Sequence, residues 1–324
     1  MSDAVHRPAP ALGVELALSL PKTLFGAALV HPRAAWVRAR YDEWVGRPGA
    51  SSRAAVDQCL HILPHAPAER VLDVALLLSL FGGLDDLLEA NPHTELATYF
   101  SSLRTGHAST DGHPELDVLT RGMQHAQRAL GPRLFAQLLS GVEQWANSMA
   151  PTASGWADLD TYLQLRRADF GFDAIRVMVD HAAGIDLDEH RTSPLLDELL
   201  AACFEHALFV NDLFSYRKET QAGDGRNAVS VLLSTAGMTP QAAVDVVCER
   251  ITAAERTFAD LGAHADIAQY ATFWRHVLAG NLAWSMTTPR YNGVQRPAAS
   301  SLPTHMVLHP DHTEYRYRQG NGCR

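Results

Sequence analysis

The chain has 324 residues, 47% of them hydrophobic, so it is long enough to bury a sizeable core. Its 27 Lys and Arg against 36 Asp and Glu give a net charge of -9 without a Lys/Arg-rich face, which argues against a nucleic-acid surface. The cysteines predict neither a zinc site nor a disulfide framework, which suits a reducing cytoplasm, because no Cys-x-x-Cys spacing occurs among Cys59, Cys203, Cys248 and Cys323.

Two sequence patterns concern export and membrane insertion. No basic segment followed by a sustained apolar one begins the sequence, so we expect no signal peptide. No apolar stretch reaches the roughly 18–20 residues of a membrane span. We expect residues 1–20 to be a flexible N-terminus, residues 21–295 to form one domain, and residues 296–324 to be a C-terminal tail.

Leu- and Ala-rich segments dominate and β-branched alternation is scarce, which predicts an all-α protein. The breaks between segments fall at Pro/Gly/Ser clusters such as residues 46–52 and 222–225. The predicted helices are His31–Val45, Arg53–Leu63, Arg70–Glu89, Thr94–Leu103, Glu115–Leu130, Pro132–Met149, Leu159–Val179, Pro194–Glu219, Ala228–Ala236, Pro240–Leu261 and Ile267–Thr287.

An acidic cluster ends the third predicted helix. The residues from Val71 to Leu84 are almost continuously apolar, so this helix must be buried nearly all round. Asp85 and Glu89 share a face at i, i+4, and Asp86 lies beside them. Buried carboxylates repel one another, and a shared metal ion would satisfy them together. An Asp-Asp pair alone is more often exposed than functional.

A second polar cluster ends the helix that begins at Pro194, where Ser193 predicts an N-cap. Asn211, Ser215 and Glu219 stand at i, i+4 and i+8, directly after an apolar run. At about 100° per residue their side chains fall on one inward-facing side of the helix. A buried carboxylate needs a partner, and Mg2+ prefers oxygen ligands. The alternative is a solvated helix end.

At this point the chain resembles the bacterial class I terpene synthases, the cyclases of linear isoprenyl diphosphates. Their aspartate-rich motif is similar to residues 85–89, although many members have Asp where Glu89 stands. Residues 211–219 match their second metal motif, Asn-Asp-x-x-Ser-x-x-x-Glu, in full. Residues 162–171 resemble the segment with a diphosphate-sensing arginine and a helix break, and residues 284–291 resemble the C-terminal Arg-Tyr pair with its preceding pocket tryptophan.

The resemblance implies an all-α, single-domain class I terpenoid synthase bundle around a central active-site cavity. It implies Mg2+-dependent ionisation and cyclisation of a linear isoprenyl diphosphate to a cyclic terpene hydrocarbon or alcohol, with release of diphosphate. Three Mg2+ ions are expected, and the candidate ligands are Asp85, Asp86, Glu89, Asn211, Ser215 and Glu219. In this family the leading aspartate is often the only direct ligand of its motif, so Asp86 and Glu89 would then hold arginines when the site closes.

The resemblance also assigns residues to the diphosphate, namely Arg166, Lys218, Arg290 and Tyr291. Arg166 is expected to sense it, and Asp169 to link Arg166 to the break at Phe170-Gly171, whose backbone carbonyl would point at the developing cation. Arg167 points about 100° away from Arg166 on the helix, so we expect it to make outer salt bridges. Metal and diphosphate should close the site and order the tail beyond residue 291.

After ionisation, the cation needs an apolar pocket with aromatic faces. The aromatic candidates, each with core packing as the alternative, are Phe81, Trp284, Phe170, Phe204 and Phe209. Gly82 stands where family members commonly have a bulky aromatic residue, which predicts either a deepened pocket or close helix packing. The predicted substrate is therefore either C20 geranylgeranyl diphosphate or C15 farnesyl diphosphate, and the sequence favours the C20 substrate slightly.

Three alternatives remain. A trans-prenyltransferase, which elongates isoprenyl diphosphates, needs a second Asp-rich motif where this chain has residues 211–219. Head-to-head coupling of the squalene or phytoene synthase type would need Asp-x-x-x-Asp at both sites. An inactive helical scaffold has no reason to keep four polar clusters in register. The expected partner is the isoprenyl diphosphate, with no nucleic acid and no integral membrane segment, and a homodimer stays open.

Overall fold

The computed structural model describes residues 16–19, 23–46, 50–90, 100, 104, 114–148, 156–185, 193–292 and 305–308. Helices dominate these residues, which confirms the predicted all-α class. The helices are α1 (Ala34–Val45), α2 (Ala50–Ile62), α3 (Ala68–Ala90), α4 (Pro114–Ser148), α5 (Leu159–Asp169), α6 (Phe172–Ala183), α7 (Pro194–Ala222), α8 (Ala228–Thr235), α9 (Pro240–Leu261), α10 (Ala268–Thr287) and α11 (Pro289–Asn292). A 3-10 turn at Ala265–Ile267 precedes α10.

The helices pack as a bundle around one core. Helix α2 packs on α3 and α10, α3 packs on α4, α4 on α6, and α7 on both α9 and α10. The largest fully buried side chains come from several of these helices, among them Tyr162, Phe172, Phe258, Tyr270 and Trp274. Burying such aromatic side chains supplies much of the hydrophobic free energy of folding.

Two glycines let neighbouring helices approach closely. A Cβ atom at Gly280 of α10 would lie 2.1 Å from the carbonyl oxygen of His61, so only glycine fits against α2 there. A Cβ at Gly141 of α4 would lie 2.8 Å from the backbone nitrogen of Ala174 in α6. These two contacts fix the separation of helix pairs on both sides of the bundle.

Two glycines with positive φ mark breaks between helical segments. The predicted helix Leu159–Val179 is interrupted where Gly171 adopts φ 69°, between α5 and α6, which is the break that the family resemblance implies. The two helices predicted on either side of Gly131 are confirmed as two segments of α4, because Gly131 has the non-helical angles φ 73° and ψ 170° and separates them. The predicted helix Thr94–Leu103 lies mostly outside the described residues.

Two short strands join the ends of the chain. Strand β1 (Leu16–Ser19) pairs antiparallel with β2 (His305–Leu308), with Leu16 opposite Leu308. The side chain of Gln241 on α9 bonds the backbone of Ala17, accepting from its nitrogen at 2.9 Å and donating to its oxygen at 2.8 Å. Parts of both segments that the sequence analysis expected to be flexible ends therefore have defined partners.

Two further expectations concern the membrane and the cysteines. Within the described ranges, no helix has the length and apolar character to cross a membrane. Cys59, Cys203 and Cys248 are buried cysteines. Burial raises the pKa of the Cys59 and Cys203 thiols above their ordinary value, so these groups stay protonated core residues. Cys323 lies outside the described residues.

Candidate active site

A cavity of about 580 Å³ lies inside the bundle and gathers residues from distant parts of the sequence. The charged and metal-ligating types on its wall, with one phenol, are Arg166, Asp169, Asn211, Ser215, Lys218, Glu219, Asp224, Arg226, Arg290 and Tyr291. Most of the remaining wall is apolar, formed by Ala54, Ala55, Gln58, Leu78, Ser79, Phe81, Gly82, Trp145, Phe170, Gly171, Ile175, Gly223 and Trp284. The cavity therefore has a polar part and an apolar part.

Helix α7 presents the three residues of the second metal motif to the cavity. Asn211, Ser215 and Glu219 all line it, whereas Leu213 and Phe214 on the other faces of the helix are fully buried. The Asn211 Nδ2 donates to the Tyr291 hydroxyl at 3.0 Å, so its side-chain oxygen remains an acceptor. The Ser215 Oγ donates to the Asn211 carbonyl oxygen at 2.7 Å.

Glu219 is the most perturbed acid of this wall. Burial, followed by the nearby Asp212 carboxylate, raises the pKa of Glu219 from 4.5 to about 7. The Asn227 Nδ2 donates to the Glu219 Oε2 at 2.7 Å and partly stabilises the charged form. A buried carboxylate with an amide and a hydroxyl on the same helix face is a donor set that fits a hard divalent cation. These residues therefore fit the metal that the sequence predicts.

The first acidic cluster lies at the end of α3, which extends to Ala90. The side chains of Asp85, Asp86 and Glu89 lie outside the described residues, so their contact with metal stays a prediction. Phe81 and Gly82, on the preceding turn, line the same cavity as Asn211. The backbone of α3 thus brings its acidic end toward the cavity.

Arg166 occupies the centre of a buried polar network. Its Nη1 lies 2.5 Å from the Asp169 Oδ2, and its Nε donates to the Tyr162 hydroxyl at 3.1 Å. Its Nη2 lies 3.6 Å from the Asp212 Oδ1. Burial opposes the charge, but Tyr162 and the two acids outweigh it and raise the pKa of Arg166 above its ordinary value. The guanidinium is therefore permanently charged.

Arg167 has a different environment, as its place on the helix predicts. Its Nη2 lies 3.0 Å from the Asp173 Oδ1, and both side chains are more than a third exposed. It does not line the cavity. An exposed ion pair of this kind contributes little to stability or to a buried site.

The C-terminal pair lies next to Asn211, which donates a hydrogen bond to Tyr291. Arg290 and Tyr291 line the cavity together with Lys218 and Trp284. The Tyr291 ring stands edge-on to the Trp284 ring, with centroids 5.6 Å apart. Burial raises the pKa of Tyr291, so its hydroxyl stays a neutral hydrogen-bonding group.

Four polar residues of the site were missed by the sequence analysis. Asp212, which is fully buried, accepts hydrogen bonds from the Tyr162 hydroxyl and from the Ala228 backbone nitrogen, the latter at 2.9 Å. Asn227 caps α8 by accepting from the Val229 nitrogen. Its position before an apolar run was a readable N-cap signal. The other two, Asp224 and Arg226, lie in the loop after α7, which shows no periodicity.

The aromatic candidates divide into two groups. Phe81, Phe170 and Trp284 line the cavity. Phe209 is fully buried outside it, with the Arg250 guanidinium 5.5 Å from its ring centroid. Because Phe209 lies two residues before Asn211, it points to the other side of α7. This position contradicts the expectation that Phe209 contacts substrate.

Phe204 also lies outside the cavity lining. It packs edge-on against Phe172 and Phe170, with ring centroids 5.4 and 6.3 Å away. Phe204 is therefore a core residue that packs against the aromatic residues on either side of Gly171.

Gly82 faces open space. A Cβ atom at this position would have no heavy atom of the described residues within 4 Å outside its own chain neighbours and helix backbone. Among the described residues none packs closely against Gly82, which favours the deepened pocket of the two interpretations. Since Gly82 lines the cavity, the missing side chain enlarges it.

Comparison with known proteins gives one family. Residues 80–257 match the model for terpene synthase family 2, C-terminal metal binding. The chain is 30% identical over 293 residues to (3S,6E)-nerolidol synthase of Selaginella moellendorffii, covering 83% of this chain and 79% of that protein. The matched proteins come from plants, fungi and bacteria, so the bacterial qualifier of the resemblance is not confirmed.

Solved structures agree in fold. A linalool/nerolidol synthase from Streptomyces clavuligerus in complex with 2-fluorogeranyl diphosphate has a TM-score of 0.69 and 18% identity, over 82% of this chain and 98% of that one. Aristolochene synthase from Penicillium roqueforti has a TM-score of 0.66 and 22% identity, over 83% of this chain and 99% of that one. At these identities the likeness extends to the fold alone.

Proposed function

This chain belongs to the terpene synthase family and is a class I terpene synthase, and we propose that it ionises and cyclises a linear isoprenyl diphosphate of fifteen or twenty carbons. The observation that carries this proposal is the division of one cavity into a polar and an apolar part. The polar part suits a diphosphate with its metal ions, and the apolar part suits a hydrocarbon chain.

The matched family model is described as metal-binding, and we propose that the metal is Mg2+, with three ions. Asn211, Ser215 and Glu219 would hold one ion from α7, and the acidic end of α3, with Asp85 foremost, would hold two ions from the other side. Bound cations would act as Lewis acids that neutralise the charge of the departing diphosphate.

The chain's own cations orient the leaving group. Lys218, Arg290 and the Tyr291 hydroxyl contribute hydrogen bonds from α7 and α11, and Arg166 contributes from α5. The Tyr291 hydroxyl already accepts a hydrogen bond from the Asn211 Nδ2 at 3.0 Å. A ligand that attracts one of these two side chains would therefore also move the other, and so couple α7 to α11. Approach of these groups from separate helices would close the site and exclude water.

The apolar part folds the chain and stabilises positive charge. Phe81 and Trp145 stand edge-on with ring centroids 5.4 Å apart, and Trp284 also lines the cavity. Aromatic faces stabilise a desolvated cation by roughly 1–2 kcal/mol each. The Gly171 carbonyl already accepts from the Ile175 nitrogen at 3.0 Å, so we assign the cation-facing carbonyl to Phe170.

An assay with Mg2+ and diphosphates of C10, C15, C20 and C25 chains tests the proposal. We expect a cyclic hydrocarbon or alcohol from the C15 or C20 substrate, released diphosphate, and no turnover in excess EDTA. Isopentenyl diphosphate is added in a parallel reaction, and a longer diphosphate as product would favour the prenyltransferase alternative. Absence of any product from all four substrates would overturn the function. The domain limits of 21–295 and a cytoplasmic location belong to the same proposal.

A further inference from the structure

We propose that Arg226 is a second diphosphate-binding arginine, which works beside Arg166 through the shared carboxylate of Asp169. This inference rests on the proposed function and adds a residue that neither the family motifs nor the sequence patterns indicate. The starting observation is that both guanidinium groups line the cavity and meet the same acid.

The two oxygens of Asp169 are divided between the two arginines. The Arg166 Nη1 lies 2.5 Å from the Oδ2, and the Arg226 Nη1 lies 3.4 Å from the Oδ1. Asp169 is only 7% exposed, so this contact takes place in a largely desolvated setting where charge interactions are strong. One buried carboxylate thus couples two cations that come from different parts of the chain.

Arg226 is the more accessible of the two, and its ion pairs with Asp169 and Asp224 are longer than the contact between Arg166 and Asp169. Its side chain is 31% exposed, against 11% for Arg166. Its Nε and Nη2 lie 3.2 Å from the two oxygens of Asp224. These distances and the 3.4 Å to Asp169 exceed the 2.7–2.9 Å of strong charge-assisted hydrogen bonds. A multiply charged anion in the cavity can therefore recruit this guanidinium.

The backbone around Arg226 is anchored to the rest of the site. Asn227 donates to the Glu219 carboxylate at 2.7 Å, and the Ala228 nitrogen donates to Asp212 at 2.9 Å. The backbone nitrogen of Arg226 also donates to the Asp224 Oδ1 at 2.9 Å. The residues that follow Arg226 are thus tied both to Glu219, a proposed metal ligand on α7, and to Asp212 of the Arg166 network. A diphosphate held by a metal ion at Glu219 would therefore bind close to Arg226.

The shared acid gives the second arginine a further consequence. When a bound diphosphate attracts the Arg226 and Arg166 guanidinium groups, both of their ion pairs with Asp169 change at the same time. Asp169 is the last residue of α5 and directly precedes the break at Phe170-Gly171. Binding at either arginine is thereby transmitted to the segment whose carbonyl we assign to the cation.

Binding of inorganic pyrophosphate in excess MgCl2, measured by calorimetry, tests the inference without turnover. We expect Arg226→Gln to raise the Kd about tenfold, and Arg226→Lys about threefold because lysine keeps the charge but not the planar fork. The matched control is Arg167→Gln, which removes one exposed charge nearby and should change the Kd less than twofold. A folded Arg226→Gln that binds like wild type would overturn the inference.

A crystal structure of the wild-type protein with Mg2+ and pyrophosphate decides the matter should the variants misfold. An Arg226 nitrogen within hydrogen-bond distance of a phosphate oxygen supports the inference. An Arg226 still paired with Asp224 and away from the anion refutes it. If the wild type neither binds magnesium pyrophosphate nor turns over any isoprenyl diphosphate, the proposed function fails; if it does both while Arg226→Gln is unchanged, only this inference fails.

Discussion

Two sides of the cavity have contrasting chemistry: the α7 side, with Arg166, Asp169 and Glu219 on its wall, and the α3 side, with Phe81 and Gly82. On the α7 side, Arg166 contacts Asp169 and Asp212 and partly compensates them, whereas burial and Asp212 leave the charge of Glu219 uncompensated in the metal-free protein. On the α3 side, Phe81 and Gly82 present an apolar surface with open space. The α7 side can therefore promote ionisation of the diphosphate substrate, and the shape of the α3 side can determine which hydrocarbon chain fits into the cavity.

Removing one proposed metal ligand from each side gives the largest expected effect. We expect Asn211→Ala and Asp85→Ala each to reduce kcat by more than about 1000-fold, because the leaving charge then lacks its compensating cations. The fold should be intact, which circular dichroism and the melting temperature check. Full activity of either variant, or of the wild type in EDTA, would show that the two sides do not share a metal site.

Replacing each of the two neighbouring arginines tests the network on the α7 side. Arg166→Ala should reduce kcat/KM by about 100-fold, because it removes a buried cation proposed to bind the diphosphate. It also removes the ion-pair partner of Asp169 and Asp212. Arg167→Ala should cost less than about threefold, since Arg167 lies outside the cavity lining and pairs with the exposed Asp173. The reverse ranking would mean that the wrong arginine has been assigned.

Glu219 links the stability of the α7 side to pH. Its folded pKa of about 7 lies above the ordinary 4.5, so the folded metal-free protein binds the proton more tightly than the unfolded chain. The free energy of unfolding should therefore fall as the pH rises from about 4.5 to 7 and level off above. Glu219→Gln removes this cost and should be more stable than wild type at pH 8 by about 1–3 kcal/mol, a difference that vanishes near pH 4.5.

Calorimetric melting in EDTA measures that difference, and magnesium pyrophosphate binding provides the counterpart. The Glu219→Gln variant should bind magnesium pyrophosphate much more weakly, because the amide cannot replace the carboxylate. A wild-type unfolding free energy that does not change between pH 5 and pH 8 would contradict the assignment of the raised pKa to Glu219.

Much of this fold follows from periodicity, as the helix that begins at Pro194 illustrates. Its start was predicted from Ser193-Pro194, although the Ser193 side chain makes no capping hydrogen bond, and its spacing placed Asn211, Ser215 and Glu219 on one face. Local pattern reaches this far because a helix face is defined by residues three or four apart.

The remaining parts of the site depend on tertiary contacts. Asp212 points about 100° away from Asn211, and its burial follows only from the packing of α5 and α8 against that face. Phe209 was misplaced for the same reason, because a helix buried on several sides has aromatic residues that face neighbours instead of the cavity. Arg226 lies in a loop, where no period exists and only the folded chain brings it to Asp169.

The smallest expected effect concerns the open space on the α3 side. Gly82→Phe would place a ring in the apolar part of the cavity, and we expect it to lower kcat/KM for geranylgeranyl diphosphate about tenfold more than for farnesyl diphosphate. Gly82→Ala is the matched control. Its Cβ meets no described atom within 4 Å, so both substrates should be turned over as by wild type. Alanine should also stabilise α3 by up to about 1 kcal/mol.

The reason for this selectivity is that only the longer chain needs the volume beside Gly82, while the diphosphate end is held by the same residues for both substrates. Equal losses on the two substrates would mean that the ring disturbs the nearby acidic end of α3 instead of the chain-length limit. A wild-type enzyme that accepts only the C15 substrate would show that the space at Gly82 does not serve a longer chain. In that case the α7 side and the α3 side would still divide ionisation from cavity shape, but chain length would be set elsewhere on the apolar wall.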